Sequence, residues 1–503
     1  MRPLTIPLCI ALICGGCPRK EESPRPNHSG RPLVSPEQPA PEPAPAAPTP
    51  LPPAAAQAAG PRRMPTIAAI DWGAFPDEKK LARRGRTITL RPGRVGVIAK
   101  ALRSARSGDT LLLHGGTYRE GADDDHRALP LMRDGVTIRA LPGQRARIVP
   151  RGGEVTYGAA IAASRIVLSG LEIDGFPNVG IGIEKEHGTV KDLILSDVTV
   201  KAPADGKWHD GIVVYHDMRG KGSPASDGLL MRNVTVEGAS LGISCNSGPC
   251  RSWWLENVRV TGAGGSGSGA DAIAVEEGEN MVFHRVDASR VSADGIDLKA
   301  RNVLVSSCYV HDVARNGVKL WYGGDIVNTI VHHTGEDAAI VFEHAGRYRV
   351  LNSVMAFHNW PQPTSYNLTA SYDSREKLRV ELINSIFYKT SGGMFFQDGT
   401  DVAIRSCIFH EMKNGDYLRA RVRGREVVLT RAGGVKAFRK LGASGVILAD
   451  PRFLDAEHGD FRLRPGSPAA NHGVKVGEMP PFDVAGGPRV RGAAPDIGAY
   501  EMF

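Results

Sequence analysis

The sequence lacks the patterns that mark several common function classes. It has no run rich in lysine and arginine, no helix-turn-helix and no mixed aromatic and basic motif, so a nucleic-acid partner is not expected. It has no His-Glu-x-x-His segment, and its only Cys-x-x-Cys joins Cys14 to Cys17, which leaves no zinc pattern in the body of the chain. The apolar run at residues 4–13 is too short to cross a bilayer. The formal net charge of +8 suits an anionic partner without specifying one.

Residues 1–17 have the features of an export signal, with Arg2, the apolar run and small residues before Cys17. The run Ile13-Cys-Gly-Gly-Cys17 resembles a bacterial lipobox, which implies acylation of Cys17, and Pro18 carries no aspartate signal for inner-membrane retention. Residues 18–65 are rich in proline and alanine and form a semi-rigid tether. We therefore expect an exported bacterial lipoprotein at the outer membrane or cell surface. We expect it to be a monomer that contacts the membrane only through its lipid.

The central part of the chain repeats one short phrase, a small or acidic residue followed by an apolar-x-apolar strand. The second positions of the copies are separated by 31, 30, 23, 22 and 22 residues, at Gly211, Gly242, Ala272, Gly295, Gly317 and Ala339. A second repeated strand lies between the phrases, for example at residues 193–200 and 303–310. Short strands at this period, with no helical periodicity between them, predict a parallel β-helix whose coils bury their apolar faces by stacking.

The flanking segments extend this prediction to a right-handed β-helix with two caps. Residues 97–106 have the pattern of an amphipathic helix and, with the strand that follows, resemble the N-terminal cap of pectin-lyase-like right-handed β-helices. Residues 450–470 and 495–501 resemble the closing segment of secreted bacterial β-helix proteins. We therefore predict an all-β solenoid with an N-terminal cap region at residues 66–135, the β-helix at 136–410 and a C-terminal segment and cap at 411–503.

Four cysteines remain beyond the signal. Cys245 and Cys250 bracket an Asn-Ser-Gly-Pro turn and are expected within disulfide reach, whereas Cys308 and Cys407 are expected to be buried thiols. The histidines have no fixed partner in sequence and are expected at turns or on the surface, including His209, His311, His332 and His333.

When coils stack, side chains at the same position of each repeat form outward-facing columns. One column is predicted to hold Asp297 and Lys319, and its neighbour Tyr215, Glu276, Lys299 and Trp321. A third column at the strand starts holds Asp210, Asp271, Asp294 and Asn316. Hard oxygen ligands in this arrangement can share a calcium ion, and the candidate ligands are Asp271, Asp294, Asp297 and Glu276. Alternatively, Asp271 and Asp294 bond the amides of nearby turns.

The pair Asp294-Gly-Ile-Asp297 and Asn316-Gly-Val-Lys319-Leu resembles the family nine pectate lyases, although Ala293 stands where that family has a further aspartate. The resemblance implies calcium ligands at Asp271, Asp294 and Asp297 and a catalytic base at Lys319. It implies β-elimination in an acidic polysaccharide, which Lys299, Trp321 and Tyr215 would help to bind. A divalent cation and Lys299 are expected to push Lys319 toward its neutral form.

Two other function classes remain open from the sequence. A glycoside hydrolase would use paired carboxylates, such as Glu276 with Asp297 or Glu343, although the Gly-His-Gly signature of such hydrolases is absent. A non-catalytic polysaccharide-binding or envelope scaffold protein would need only the outward face and the tether. The reaction product distinguishes the three classes, since only a lyase forms an unsaturated uronide.

Overall fold

A computed structural model describes residues 70–502, except for 78–80, 82–84, 122–125, 185–187, 216–224, 247, 263–269, 360–365, 371–376 and 423–424. Cys17 and the Pro/Ala tether predicted from the sequence lie outside the described residues. Among the described residues, no helix is long and apolar enough to cross a membrane.

The chain is built almost entirely from short strands. The first twelve are β1 (Thr87–Leu90), β2 (Thr110–Leu113), β3 (Gly116–Glu120), β4 (Arg127–Leu131), β5 (Thr137–Ala140), β6 (Ala146–Pro150), β7 (Tyr157–Ile161), β8 (Val167–Ser169), β9 (Leu171–Asp174), β10 (Val179–Ile183), β11 (Val190–Ser196) and β12 (Thr199–Lys201). The next twelve are β13 (Asp210–Val214), β14 (Ser226–Glu237), β15 (Leu241–Cys245), β16 (Cys250–Thr261), β17 (Ile273–Ser289), β18 (Ile296–Ser306), β19 (Tyr309–Val313), β20 (Val318–Leu320), β21 (Gly324–Val327), β22 (Ile330–Thr334), β23 (Ala338–Phe342) and β24 (Gly346–Leu351). The last eleven are β25 (Val354–Ala356), β26 (Tyr366–Ala370), β27 (Leu378–Ile383), β28 (Ile386–Thr390), β29 (Gly392–Phe396), β30 (Thr400–Arg405), β31 (Ile408–Met412), β32 (Asp416–Val422), β33 (Arg425–Thr430), β34 (Phe453–Asp455) and β35 (Asp460–Leu463).

Helices are few. The helices with described ends are α1 (Val97–Ser104), α2 (Gly434–Lys440) and the 3₁₀ turns Trp72–Ala74, Arg431–Gly433 and Ala456–His458.

The strands form a right-handed parallel β-helix of about 11 turns, as predicted. One face of the solenoid carries all the repeated phrases. In this face each strand pairs in parallel with the next, in the order β13, β15, β17, β18, β20 and β23. Two further parallel faces run beside it, one through β18, β21 and β24 and the other through β19, β22 and β25. The inward positions, such as Ile296 and Leu298, are fully buried in a continuous apolar core.

A sharp corner joins the second and third faces in coil after coil. Its residues share a left-handed backbone conformation and stack in register, at Asp197, Asn233, Asn257, Arg285, Ser307, Asn328, Asn352, Asn384 and Ser406. Asparagine and aspartate tolerate this conformation better than most residues, which explains their frequency in the column. The Asn257 side-chain amide also donates to the Asn233 side chain at 2.7 Å, so neighbouring coils are hydrogen-bonded to each other at this corner.

The N-terminal end of the core is closed by α1, which lies within the predicted helix at residues 97–106. Its Ile98 and Leu102 are buried against the first coils. The fully buried Glu120 carboxylate accepts the N–H groups of Ile98 and Ala99 at 3.0 Å each and so caps the helix start.

An apolar stripe on the outside of the second face is covered by chain from both ends. It includes Leu230, Trp254, Val282 and Leu304, and it packs against Phe75 on one side and against Val474 and Val476 on the other. The bonds of Asn384 with the backbone of Val474, at 2.8 and 2.9 Å, fix the C-terminal part.

The C-terminal segment covers the outside of the third face and closes over a group of polar rings that we term the histidine ladder. The ladder consists of Tyr309, His311, His332, His333 and His358. His311 and His332 lie in strands and are 6% and 2% exposed, so the prediction of turn or surface positions is wrong for these two, whereas His209 lies in the loop before β13 and is 1% exposed. The reason is long-range, since Phe461 and Gly459 of the cap contact His332 and Tyr309.

The cysteines lie as expected. Cys245 and Cys250 form a disulfide across the end of β15 and the start of β16, and Cys308 and Cys407 are buried thiols.

Candidate functional site

The predicted outward columns are present in the strand register. Position by position, the first column contains Val213, Ser244, Ala274, Asp297, Lys319 and Val341. Asp297 therefore lies directly beside Lys319 on neighbouring coils. The register places charged side chains together that are far apart in sequence.

The third column forms a continuous hydrogen-bonded series at the strand starts. The Asp271 carboxylate accepts the N–H of Asp294 at 2.8 Å, and the Asp294 carboxylate accepts both the backbone N–H and the side-chain amide of Asn316 at 3.0 Å. The side-chain carbonyl oxygen of Asn316 in turn accepts the N–H of Ala338 at 3.1 Å. Each residue thus satisfies a backbone donor of the next coil, which is the alternative role considered for Asp271 and Asp294.

The same aspartates are close enough to affect one another. Burial, assisted by the charges of Asp294 and Asp297, raises the pKa of Asp271 to about 7. Burial also raises the pKa of Asp297 to about 6, although Lys319 opposes this shift. Both carboxyl groups are therefore held near the point of protonation at neutral pH.

The arrangement does not by itself present a calcium site. In the described part of the chain, no three histidine, cysteine, aspartate or glutamate side chains are grouped so that they could hold a metal ion. Asp271 and Asp294 each use a carboxylate oxygen on the next coil, and Glu276 is paired with Lys299. Calcium binding at Asp271, Asp294, Asp297 and Glu276 stays a prediction.

Lys319 lies between two carboxylates. Its ammonium nitrogen is 3.2 Å from Glu343 Oε1, and its side chain is only 16% exposed. Burial favours the neutral amine, but the charges of Asp297 and Glu343 outweigh it and raise the pKa of Lys319. The pKa of Lys319 is thus shifted in the direction opposite to the expected effect of Lys299, because the charges of Asp297 and Glu343 favour the protonated amine.

Trp321 supports this charged group from one side. Its indole N–H donates to Asp297 Oδ1 at 2.7 Å, and its ring centre is 4.7 Å from the Lys319 nitrogen and 5.0 Å from the Lys299 nitrogen. The His344 ring lies 5.3 Å from it at a tilt of 39°. The ring is thus engaged by protein groups, and its predicted role in sugar stacking stays a prediction.

A groove of about 1090 Å³ opens beside Lys319 and Trp321. Its other walls include Arg315, Glu343 and two aromatic residues, Tyr366 and Phe395, whose rings are 5.5 Å apart. We term it the Lys319 groove. It combines cations, carboxylates and aromatic rings within a few coils, which is the composition expected of a carbohydrate site.

Tyr366 and Phe395 are missing from the sequence analysis. Tyr366 pairs with Ala338 and so continues the column of Asp294 and Asn316, while Phe395 pairs with Thr369 in the column of Lys319. The phrase that begins at Tyr366 has lost the small or acidic residue and the glycine that open the earlier copies, whereas the phrase of Phe395 keeps them as Gly392 and Gly393. Extending the columns by two coils would have found them.

Tyr215 is not brought into the Lys319 groove. It follows β13, four strand pairings away from β20, and its hydroxyl donates to Asp210 Oδ2 at 3.0 Å. Its predicted role in substrate binding therefore needs a ligand that extends along the solenoid.

Comparisons with known proteins agree on the fold. Residues 179–355 match the family model described as "Right handed beta helix region". A comparison with curated protein sequences finds no match.

Several solved structures are similar to the chain. The pectate lyase Pel9A is 12% identical with a TM-score of 0.37, over 83% of this chain and 97% of that one. The A-module of the Azotobacter vinelandii mannuronan C-5 epimerase AlgE6 is 14% identical with a TM-score of 0.42, over 70% and 93%. The alginate lyase from Paenibacillus sp. str. FPU-7 is 14% identical with a TM-score of 0.31, over 63% and 99%. At these values the likenesses say nothing about the activity of this chain.

Proposed function

We propose that this right-handed β-helix protein binds an acidic polysaccharide in the Lys319 groove and cleaves it by β-elimination. The observation that carries the proposal is the position of Lys319. It lies at the edge of a groove with an aromatic wall, between Asp297 and Glu343 and against the Trp321 ring. A lysine held in this way has a defined direction and a pKa set by its neighbours, which are the requirements for a proton-transfer group.

The reaction needs one proton acceptor and one carboxylate-binding site. The neutral amine of Lys319 removes the proton on the carbon next to the uronate carboxylate. The electrons of that C–H bond form a C=C bond, and the glycosidic C–O bond breaks. The leaving oxygen then takes up a proton. Arg315 in the groove wall supplies positive charge for the carboxylate. Lys299 pairs with Glu276, and its role in substrate binding stays a prediction.

The carboxylates around Lys319 determine when it can act. Because Asp297 and Glu343 raise its pKa, the neutral form is scarce at neutral pH and increases in alkaline solution. Neutralising the charge of Asp297 would lower the pKa of Lys319 and extend activity to lower pH. Calcium at the aspartates is a proposed source of that neutralisation.

Glycoside hydrolysis is the second candidate, and one observation favours it. With its pKa raised to about 6, Asp297 is suited to act as a general acid, and Glu343 on the other side of Lys319 is a candidate for a base. A hydrolase would release plain reducing ends, whereas a lyase releases an unsaturated uronide with ultraviolet absorbance. A scaffold protein would bind without either product.

The decisive variant is Lys319→Arg, because arginine keeps the positive charge and its pairing with Glu343 but does not give up its proton. We expect elimination on polygalacturonate or alginate to fall by about 10²–10⁴-fold, with an unchanged melting temperature. Lys299→Arg is the matched control, since Lys299 contacts the same Trp321 ring from the adjacent coil and should retain the chemistry. Equal rates for wild type and Lys319→Arg on a polymer that the protein does cleave would exclude Lys319 as the base.

We further propose that the chain is exported and anchored through acylated Cys17, with the Pro/Ala tether holding the solenoid away from the membrane. The support is the lipobox-like run that ends at Cys17. Cys17→Ser should move the protein from the membrane to the soluble fraction of fractionated cells, and unchanged partition would contradict the anchor.

A further inference from the structure

Trp208 is exposed in a way that distinguishes it from the other aromatic side chains. It is 45% exposed and is the one aromatic residue among the exposed large apolar side chains of the described chain. A single exposed aromatic residue is ordinary in itself. This one, however, is also held in a fixed position.

The indole of Trp208 is anchored to the solenoid by a short hydrogen-bonded chain. Its N–H donates to Asp210 Oδ1 at 2.8 Å, and the Tyr215 hydroxyl donates to the other oxygen of the same carboxylate at 3.0 Å. Trp321 is held by the same device, with its indole N–H on Asp297 at 2.7 Å. The two tryptophans differ in what covers their rings, since Trp321 contacts Lys299 and Lys319 whereas Trp208 is open to solvent.

The two devices lie on the same face of the solenoid. The strand pairings run from β13 through β15, β17 and β18 to β20, which is four coil steps. At roughly 4.8 Å a step, the coils that carry Trp208 and Trp321 are about 19 Å apart along the axis. Only an extended polymer can contact both.

We propose that Trp208 is a distal sugar-stacking subsite for the polysaccharide bound in the Lys319 groove. This inference rests on the proposed function. Asp210 accepts the indole N–H, and Asp205 pairs with Lys207 at 3.8 Å, whose side chain is 78% exposed. The local carboxylates disfavour a uronate carboxylate, so the subsite takes the C–H face of a sugar ring. The predicted role of Tyr215 then becomes indirect, because Tyr215 positions Asp210 and Asp210 positions Trp208.

The inference is tested by the dependence of affinity on oligosaccharide length. The purified protein is run through native gels that contain polygalacturonate or alginate, and the polymer that retards it supplies oligosaccharides from the disaccharide to the octasaccharide. For wild type we expect affinity to increase about tenfold once the chain is long enough to reach Trp208. Trp208→Ala should lose this increase and bind short oligosaccharides as wild type does, while Trp208→Phe should retain part of it.

Leu441→Ala is the control for removal of an exposed apolar side chain elsewhere, since Leu441 is 43% exposed beyond α2. The inference is overturned if Trp208→Ala binds long oligosaccharides as tightly as wild type, or if Leu441→Ala loses as much. A Trp208 effect without any unsaturated product would support the subsite and count against elimination. Failure of every acidic polymer to retard the wild type would overturn both proposals.

Discussion

The Lys319 groove and the histidine ladder are columns of titratable side chains on the same coils, yet they have opposite surroundings. The groove is open at a volume of about 1090 Å³, whereas Gly459 and Phe461 of the C-terminal segment cover Tyr309 and His332 of the ladder. In both regions burial favours the neutral form. It raises the pKa of Asp297 to about 6 and lowers the pKa of His358 to about 4. The coil repeat creates both columns, and the covering segment decides which one can meet a ligand.

The donor and acceptor roles along the hydrogen bonds of the ladder can be assigned. The Gly459 carbonyl can only accept a hydrogen bond, so its donor at 3.4 Å is the Tyr309 hydroxyl. With that proton committed, His332 Nε2–H donates to Tyr309 at 2.8 Å, and His332 Nδ1 accepts from His333 Nδ1–H at 2.6 Å. Neutral imidazoles therefore connect the third face to the cap. Protonation of His332 would require His333 to give up its Nδ1 proton, because both Nδ1 atoms would otherwise donate.

The comparison predicts opposite pH dependences of stability, and the largest effect belongs to the ladder. Because the pKa of His358 falls from 6.5 to about 4 on folding, its contribution to stability is complete above pH 6.5 and is lost as the pH falls toward 4. His358→Gln should therefore reduce the loss of stability between pH 7.5 and pH 4.5 by about 3 kcal/mol, measured by urea unfolding. Gln can still meet the Thr334 hydroxyl, which bonds the His358 ring at 2.6 Å. An unchanged pH dependence would contradict a neutral buried His358.

Asp297→Asn should act in the opposite direction and by a smaller amount. The pKa of Asp297 rises from 3.8 to about 6 on folding, so its contribution is greatest in acid and is lost as the pH rises through about 6. In chelator, the variant should be more stable than wild type at pH 7.5 by about 2 kcal/mol more than at pH 4.5. Asparagine retains an acceptor for the Trp321 indole. The same sign for Asp297→Asn and His358→Gln would break the comparison.

The activity of Asp297→Asn separates the metal-free mechanism from the calcium prediction. In chelator, removal of the charge beside Lys319 should shift the pH–rate profile to lower pH and raise the rate at a fixed moderately alkaline pH by about tenfold. If calcium binds at Asp297, the variant should instead lose activity in calcium and recover part of it in excess calcium. If the rates of wild type and variant do not depend on calcium, the calcium prediction is wrong. Asp271 and Asp294 then serve only to hydrogen-bond the next coil.

Tyr309→Phe should have the smallest of these effects. It removes the bonds to His332 and Gly459 but keeps the ring, so we expect a loss of about 1 kcal/mol. Amide hydrogen exchange at residues 456–461 should accelerate, while the groove and its activity stay unchanged. Equal acceleration around Lys319 would show that the two regions are not independent.

Much of the groove could be predicted from the sequence because position in the repeat determines position in a column. The pairing of Asp297 with Lys319 follows from counting along two phrases, and the disulfide between Cys245 and Cys250 follows from the turn between them. The pKa of Lys319 did not follow. It depends on the burial of Lys319 and on the carboxylates that the fold brings to its ammonium group, and the contact with Glu343 at 3.2 Å exists only in the folded chain.

The residues that the sequence analysis missed share a physical cause. Tyr366 lies on a coil whose phrase has diverged, Phe395 lies one coil beyond it, and Trp208 precedes its strand and so belongs to none of the predicted columns. Their roles depend on exposure and on hydrogen-bond partners. Neither property is a periodic feature of the chain.

By itself, the sequence determined the coil, the inward core, the outward columns and the corner residues, because each is a local preference repeated at a regular interval. The tertiary structure alone decided which columns stay open. The histidine ladder is closed by a segment about 150 residues further along, as in the contact of Tyr309 with Gly459. Contacts of such separation leave no trace in a repeat of some twenty to thirty residues. Position in the repeat therefore assigns each histidine and carboxylate to a coil. It does not say whether the C-terminal segment covers that side chain or leaves it exposed.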